Sequence, residues 1–273
     1  MSGRFAEVIG DPVAQTRSPS IHRYWLSALG LSGDYCATPV RQGELAEFLD
    51  RRRRDPDWLG CNVTIPHKQP VLALLDRVEP GATAIGAVNC ILPGPHGLEG
   101  RNTDIDGVAA ALGSTALRGR KATLIGAGGG ARAAIRYLLD AGAAETAILV
   151  RDPAKGATFD HEARLRVYAF EECDAALEGA AAIVNATPLG MTGAPAMPGA
   201  LLAAVARHAR GATLLDMVYD PLETPFLAAG RAGGGSPVDG LVMLIGQARA
   251  AFRHFFRREP PSGDEALRAS LIG

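Results

Sequence analysis

Lys68 closes the run Asn62-Val63-Thr64-Ile65-Pro66-His67-Lys68, and an amine set among amides and hydroxyls is equipped to pass a proton to or from a ligand oxygen. Val63 and Ile65 alternate with Asn62 and Thr64, the period of a half-buried strand, and Pro66 ends the ladder because it has no N–H to donate. The lysine is thereby delivered just past a strand end. Taken alone, a lysine after a proline is an ordinary solvated side chain. Its company argues for more. Gly86-Ala87-Val88-Asn89 and Gly100-Arg101-Asn102-Thr103-Asp104 follow, so Asn62, Thr64, Asn89 and Asp104 are candidates to converge on the ammonium and on a polyhydroxylated ligand. Amides and hydroxyls would grip ligand hydroxyls, and the carboxylate would orient the lysine. Thr103 or Asp104 reads equally well as the cap of a helix over 107–112 when Lys68 is left out of view. Upstream, Thr16-Arg17-Ser18-Pro19 sets two hydroxyls at a predicted helix start, a place suited to a carboxylate. Ser18 also fits a plain N-cap with Pro19 at the first helical position, and the two roles are compatible.

The elements that must position these groups alternate. A strand is predicted over 5–10, then a helix with Ile21, Tyr24, Trp25 and Leu29 at helical spacing that ends at Gly30. A strand over 35–40, a helix over 44–54, a strand over 60–65 and a short helix around 71–75 follow. Strand–helix alternation implies a mainly parallel sheet with helices on its faces and ligands beyond the C-terminal strand ends. The run Arg51 to Arg54 reads as a solvated helix end, where cations complement the dipole, rather than as a polyanion site.

A second unit opens near 118–121, where the strand Ala122–Ile125 runs into Gly126-Ala127-Gly128-Gly129-Gly130-Ala131 and a helix over 133–139. The pattern is G-x-G-x-x-A. Its first glycine permits the tight turn, its second lets a pyrophosphate approach the backbone, and Ala131 is small enough for helix-to-strand packing. Alone this is a weak signal; with a second strand over 146–150 the whole βαβ context of a dinucleotide site is present. Further strands are predicted over 181–185 and 213–217, each ending in a polar loop. The glycine-rich stretch 230–237 reads as a mobile connection, 241–256 as a long amphipathic helix, and a short helix follows the break at Pro260-Pro261.

Composition narrows the function classes. With 47% apolar residues in 273, the chain has ample material for packed cores. Lysine plus arginine (28) nearly balance aspartate plus glutamate (29), which argues against a nucleic-acid partner. No apolar run is long enough to span a bilayer, and residues 5–10 enter a strand without a signal pattern, so a soluble, cytoplasmic protein is expected. The four cysteines are scattered without a C-x-x-C pair and no H-x-x-x-H spacing occurs. Free thiols and no metal site are therefore expected.

In this order the motifs resemble those of the shikimate dehydrogenase family from Ile9 to about Gln247. Thr16-Arg17-Ser18 looks like the family's opening hydroxyl segment, Asn62–Lys68 its N-V-T-x-P-x-K, Gly86–Asn89 its G-A-V-N and Gly100–Asp104 its G-x-N-T-D. Gly126–Gly129 matches G-A-G-G, Asn185–Gly190 N-A-T-x-x-G, Asp216–Tyr219 D-M-x-Y, and Asp239–Gln247 D-G-x-x-M-L-x-x-Q.

The resemblance implies reversible reduction of 3-dehydroshikimate to shikimate by a nicotinamide cofactor, in the pathway to chorismate and the aromatic amino acids. It also implies a substrate domain over 1–104 with 241–273, a Rossmann-like cofactor domain over 105–240, and a monomer or homodimer. By the same resemblance Lys68 and Asp104 are the catalytic pair, and Thr16 and Ser18 hold the substrate carboxylate. Asn62, Thr64, Asn89, Asp104 and Gln247 address ring hydroxyls, and Tyr219 lines the site. Gly126 to Ala131 and Thr187 belong to the cofactor site, with Met217 and Gly240 close to the nicotinamide.

Two departures bear on specificity. Thr16 stands where much of the family has serine, which narrows the carboxylate end; shikimate is expected to be preferred to quinate. At the end of the second Rossmann strand, Val150-Arg151-Asp152 replaces the common Asn-Arg-Thr. Asp152 is the acidic residue type that bonds the ribose of NAD, whereas Arg151 and Lys155 reproduce the spacing of basic residues in NADP-binding members. NADP(H) is expected, with Asp152 turned outward as an N-cap before Pro153. The alternatives are an NAD(H)-linked quinate/shikimate dehydrogenase and a non-catalytic ligand sensor.

Overall fold

The computed structural model describes residues 3–154 and 162–272. They fall into two compact units, Met1–Thr103 with Gln247–Gly273, and Asp104–Gly246.

In the first unit the strands are β1 (Phe5–Gly10), β2 (Asp34–Pro39), β3 (Trp58–Val63), β4 (Arg77–Val78), β5 (Cys90–Gly94) and β6 (Gly97–Arg101). They form one sheet in the order β2-β1-β3-β5-β6-β4. β1 lies parallel to β2 and β3, while β5 runs antiparallel to both β3 and β6. The sheet is thus parallel on one side and closed by a hairpin on the other. Helices α1 (Ser18–Ala28), α2 (Leu45–Arg52) and α3 (Pro80–Ile85) belong to this unit. β1 is buried along nearly its whole length because both its faces are covered, as interior parallel strands require. Ile9 faces a core with Phe48, Leu49, Trp58 and Val63, and Val8 faces another with Tyr35, Ala251 and Phe255.

The second unit holds α4 (Asp104–Leu112), β7 (Lys121–Ile125), α5 (Gly129–Asp140), β8 (Glu145–Val150), β9 (Leu165–Ala169), α6 (Cys173–Leu177) and β10 (Ala180–Asn185). Then follow α7 (Gly199–His208), β11 (Thr213–Asp216), α8 (Pro225–Ala232) and β12 (Ser236–Val238). The order β12-β11-β10-β7-β8-β9 is parallel throughout, with helices on both faces. The α/β class with two mainly parallel sheets, one of them doubly wound, is the class expected from the alternating pattern. Strand order reverses between β7 and β10, and a doubly wound sheet binds ligands beyond the strand ends at that reversal.

Helix α9 (Gly240–Phe256) starts in the second unit and finishes in the first, and α10 (Glu265–Ile272) ends the chain. The sequence places the unit boundaries at 104/105 and 240/241, whereas contacts count Asp104 and 241–246 with the second unit. The reason is packing: Met243 sits in that unit's core, and a Cβ on Gly246 would stand 2.7 Å from the Ala110 methyl.

Three expectations are corrected. Ser18 does not cap α1 but is its first residue, with Arg17 at the cap, and Thr16 supplies the hydroxyl that accepts the Ser18 N–H at 3.3 Å. The stretch 230–237 is not a loose connection, since Gly230 lies in α8 and residues 236–238 form β12. Its glycines are there for contact: a Cβ on Gly230 or on Gly235 would come within 2.2 Å of Leu214 methyls. Arg52 is not a solvated helix end. Its guanidinium donates to the fully buried Glu7 carboxylate at 2.7 and 3.0 Å and lies over the Phe5 and Phe48 rings. Glu7 also accepts from the Trp58 indole at 2.8 Å and the Thr38 hydroxyl at 2.5 Å.

Candidate functional site

In the first unit the candidate groups gather where β1, β3 and β5 meet their loops. β3 ends at Val63, whose N–H donates to Asn89 O at 2.8 Å, and Thr64 N–H continues to Ile9 O at 2.9 Å. Gly10 has no side chain because the Thr64 methyl occupies the space; a Cβ there would be 2.4 Å away. The turn carrying half-buried Lys68 is pinned twice. Val88 N–H donates to Lys68 O at 2.8 Å, and the buried His67 ring donates from Nε2 to Val40 O at 2.6 Å.

Asn89 is the hub. Its Oδ1 accepts Thr103 N–H at 2.7 Å, and its Nδ2 donates to Gln247 Oε1 and Thr103 Oγ1, both at 3.1 Å. Its backbone O accepts Asn62 Nδ2 at 3.0 Å. Asn62 Oδ1 in turn accepts the Tyr35 hydroxyl at 2.7 Å. Asn62, Asn89 and Gln247, far apart in sequence, are thus one hydrogen-bonded set, with Thr64 adjoining on the strand end. Thr16, just ahead of α1, and Ser18, its first residue, hold their hydroxyls 3.2 Å apart. Asp104 is buried as the first residue of α4 in the second unit.

Tyr35 and His67 were not among the sequence candidates. An aromatic in a strand and a histidine inside a motif both read as core, and only the partner across the sheet shows otherwise. Tyr35 is held by His22, whose ring stacks on it at 3.9 Å. Burial pushes the His22 imidazole down to about 3, so it stays neutral at ordinary pH.

In the second unit β7 delivers the glycine turn. Gly126 has φ +107°, a backbone that side chains rarely adopt, and a Cβ there would be 2.8 Å from the Thr187 methyl. Around Gly128 nothing lies within 4 Å of where a Cβ would be, so the backbone is open to a phosphate just ahead of α5. Ala131 is fully buried in the first turn of that helix. Met217, in the loop after β11, places its sulfur 3.1 Å from a Cβ on Gly130. Tyr219 is half-buried in the same loop. Gly240 opens α9 against that loop, where a Cβ would be 2.5 Å from Val218 O. The open glycine turn, a helix N-terminus and flanking Thr187 and Met217 suit a dinucleotide. Arg151 and Asp152 are exposed beyond β8, and the Asp152 carboxylate accepts Ala154 N–H at 3.1 Å. Lys155 lies outside the described residues.

Between these loops sits Asp216, fully buried at the end of β11, and burial pushes its carboxyl up to about 6 from an ordinary 3.8. A carboxyl whose folded pKa exceeds its unfolded one binds a proton on folding. Its stabilising contribution is present at low pH and is lost as pH rises through the folded pKa. The unmodified protein should therefore lose roughly 3 kcal/mol from this group between about pH 4 and pH 7. In Asp216→Asn that loss should vanish, which denaturant unfolding of both proteins across this range will check. Parallel pH profiles would refute the assignment.

Among the described residues no helix is long and apolar enough to cross a membrane. The family model for the shikimate dehydrogenase substrate binding domain matches residues 8–91. The shikimate dehydrogenase (NADP(+)) of Sphingopyxis alaskensis is 45% identical, over 98% of this chain and 97% of its own. Among solved structures, shikimate 5-dehydrogenase from Thermus thermophilus, in complex with NADP(H) and shikimate, is 34% identical. It superposes with a TM-score of 0.81 over 94% of this chain and 95% of its own. A ligand-free 5-ketofructose reductase of Gluconobacter sp. superposes at 0.85 with 28% identity, over 99% of each chain. Identity at this level over nearly the full length of both chains leaves one assignment: the chain belongs to the shikimate dehydrogenase family.

Proposed function

We propose that this protein catalyses the reversible, NADPH-dependent reduction of 3-dehydroshikimate to shikimate, acting in the cytoplasm, as a monomer or homodimer, on the route to chorismate. The observation that carries the reading is the Asn89 hub. It ties Asn62 and Gln247 into a set of amides suited to several ring hydroxyls at once. Asn62, Thr64, Asn89, Asp104 and Gln247 address those hydroxyls, Thr16 and Ser18 hold the carboxylate, and Tyr219 lines the site. The first unit is the substrate domain and the second the cofactor domain.

Bound NADPH supplies the hydride. The chain's own work is to place the ketone and to manage the proton. Reduction leaves negative charge on the former carbonyl oxygen, and Lys68 delivers a proton to that oxygen as the charge develops. Asp104 keeps the ammonium oriented. In the reverse direction neutral Lys68 takes the hydroxyl proton. Gly126 to Ala131 would hold the pyrophosphate at the N-terminus of α5, and Thr187, Met217 and Gly240 would hold the nicotinamide.

The test is turnover of shikimate, quinate and 5-ketofructose with each nicotinamide, followed by absorbance of the reduced cofactor. Shikimate with NADP+ should give the highest kcat/KM. Quinate carries an extra hydroxyl beside its carboxylate, where the Thr16 methyl already takes room. A higher kcat/KM for another substrate would overturn the reading.

NADP preference rests on Arg151, with Lys155 as the second cation. The Asp152 carboxylate is engaged by Ala154 N–H, the arrangement of an N-cap, which leaves Arg151 to grip a 2′-phosphate. Arg151→Ala should weaken NADPH binding by roughly 1.5 to 3 kcal/mol, about 10- to 100-fold, and NADH binding far less. Equal loss of both cofactors, measured by titration, would show that Asp152 sets the choice.

A further inference from the structure

The hydrogen bonds at the ends of β10 and β11 form one chain. Thr187 donates to Asn185 Oδ1 with its N–H at 3.1 Å and its hydroxyl at 2.6 Å. Asn185 Nδ2 passes on to Asp216 Oδ1 at 2.9 Å, the same oxygen that accepts Val218 N–H at 3.0 Å. Asp216 Oδ2 accepts the Thr224 hydroxyl at 2.6 Å, and Thr224 caps α8. Met217 N–H donates to Asn185 O at 2.9 Å. Both central side chains, Asn185 and Asp216, are fully buried. What they join is two loops that flank the glycine turn: the Thr187 methyl lies against Gly126 and the Met217 sulfur against Gly130.

We propose that Asp216 is a positioning residue for the cofactor: through Asn185 and Val218 N–H it fixes where Thr187 and Met217 stand against the nicotinamide end. The proposal rests on the reading of the second unit as the NADPH site. A buried carboxylate is a costly way to bind three donors, because desolvating the charge opposes folding. Asparagine would keep Val218 N–H and Asn185 on its oxygen while its Nδ2 turned to Thr224 Oγ1. The fold would survive and would lose a buried charge. What would go is charge assistance, which shortens and stiffens such bonds. The Thr224 hydroxyl proton would also lose its acceptor. A role in folding alone makes stability and turnover fall together, whereas positioning separates them.

The experiment compares the full-length chain with Asp216→Asn at about pH 8, well above the titration of this carboxyl. Melting temperature is measured beside kcat and KM for shikimate and NADP+. The expected result is a melting temperature at or above that of the unmodified protein, with kcat/KM for NADP+ down about tenfold, as a small misplacement of reacting groups costs. KM for shikimate should hold. Unchanged kcat and KM, or a parallel fall in melting temperature and activity, would overturn the proposal while an active unmodified chain keeps the functional reading. An unmodified chain unable to reduce NADP+ with shikimate would overturn both.

Discussion

Lys68→Ala lowers kcat by about 10² to 10⁴, the scale of a positioned acid or base, while the circular dichroism spectrum stays native. The fold should tolerate the change because the turn is held by the Lys68 backbone O and the His67 ring, neither of which the substitution removes. NADPH should still bind, since the glycine turn lies in the other unit. Asp104→Ala should lower kcat to a similar degree. Unchanged turnover in a natively folded Lys68→Ala variant would remove the amine from the mechanism.

The second large effect is on stability alone. Arg52→Ala leaves the fully buried Glu7 carboxylate without its cation and should cost about 3 to 5 kcal/mol, as breaking one side of a buried ion pair does. Trp58 and Thr38 still donate to Glu7, but neither carries charge. Removing both partners should be milder: Glu7→Gln with Arg52→Met ought to recover part of the loss, because no unpaired charge remains inside. Denaturant unfolding of the single and double variants decides it. A single variant within about 0.5 kcal/mol of the unmodified protein, the range of ordinary surface changes, would contradict the reading.

What the sequence exposed and what it concealed divide along physical lines. The turn from Ile125 to Ala131 was legible because glycine spacing, a preceding strand and a following helix make a local pattern. The place of Lys68 in a turn just past a strand was legible from the alternation before Pro66, although β3 already stops at Val63. Arg52 was not, since a run of arginines at a helix end looks solvated until a carboxylate from a strand 45 residues earlier appears beneath it. Tyr35 was hidden for a similar reason: its ring fills the core while its hydroxyl serves Asn62 on β3. Glycines at 230 and 235 looked like slack because composition records their lack of a side chain and not the Leu214 methyls that demand it. The β5–β6 hairpin escaped because a pattern of alternating strands and helices gives no warning of a direct return.

Chain order adds a consequence for biosynthesis. The second unit is contiguous, Asp104–Gly246, but the first is completed only by residues from Gln247 onward. Those residues are structural: Ala251 and Phe255 belong to the core around Val8 and Tyr35, and the Phe255 ring would touch a Cβ on Gly60 at 2.8 Å. On the ribosome the second unit can close while the first waits, its β1 face bare and Asn89 lacking Gln247, until the last turns of α9 emerge. A chain halted after Gly246 should therefore resist protease across 104–154 and 162–246 and be cut readily before 104.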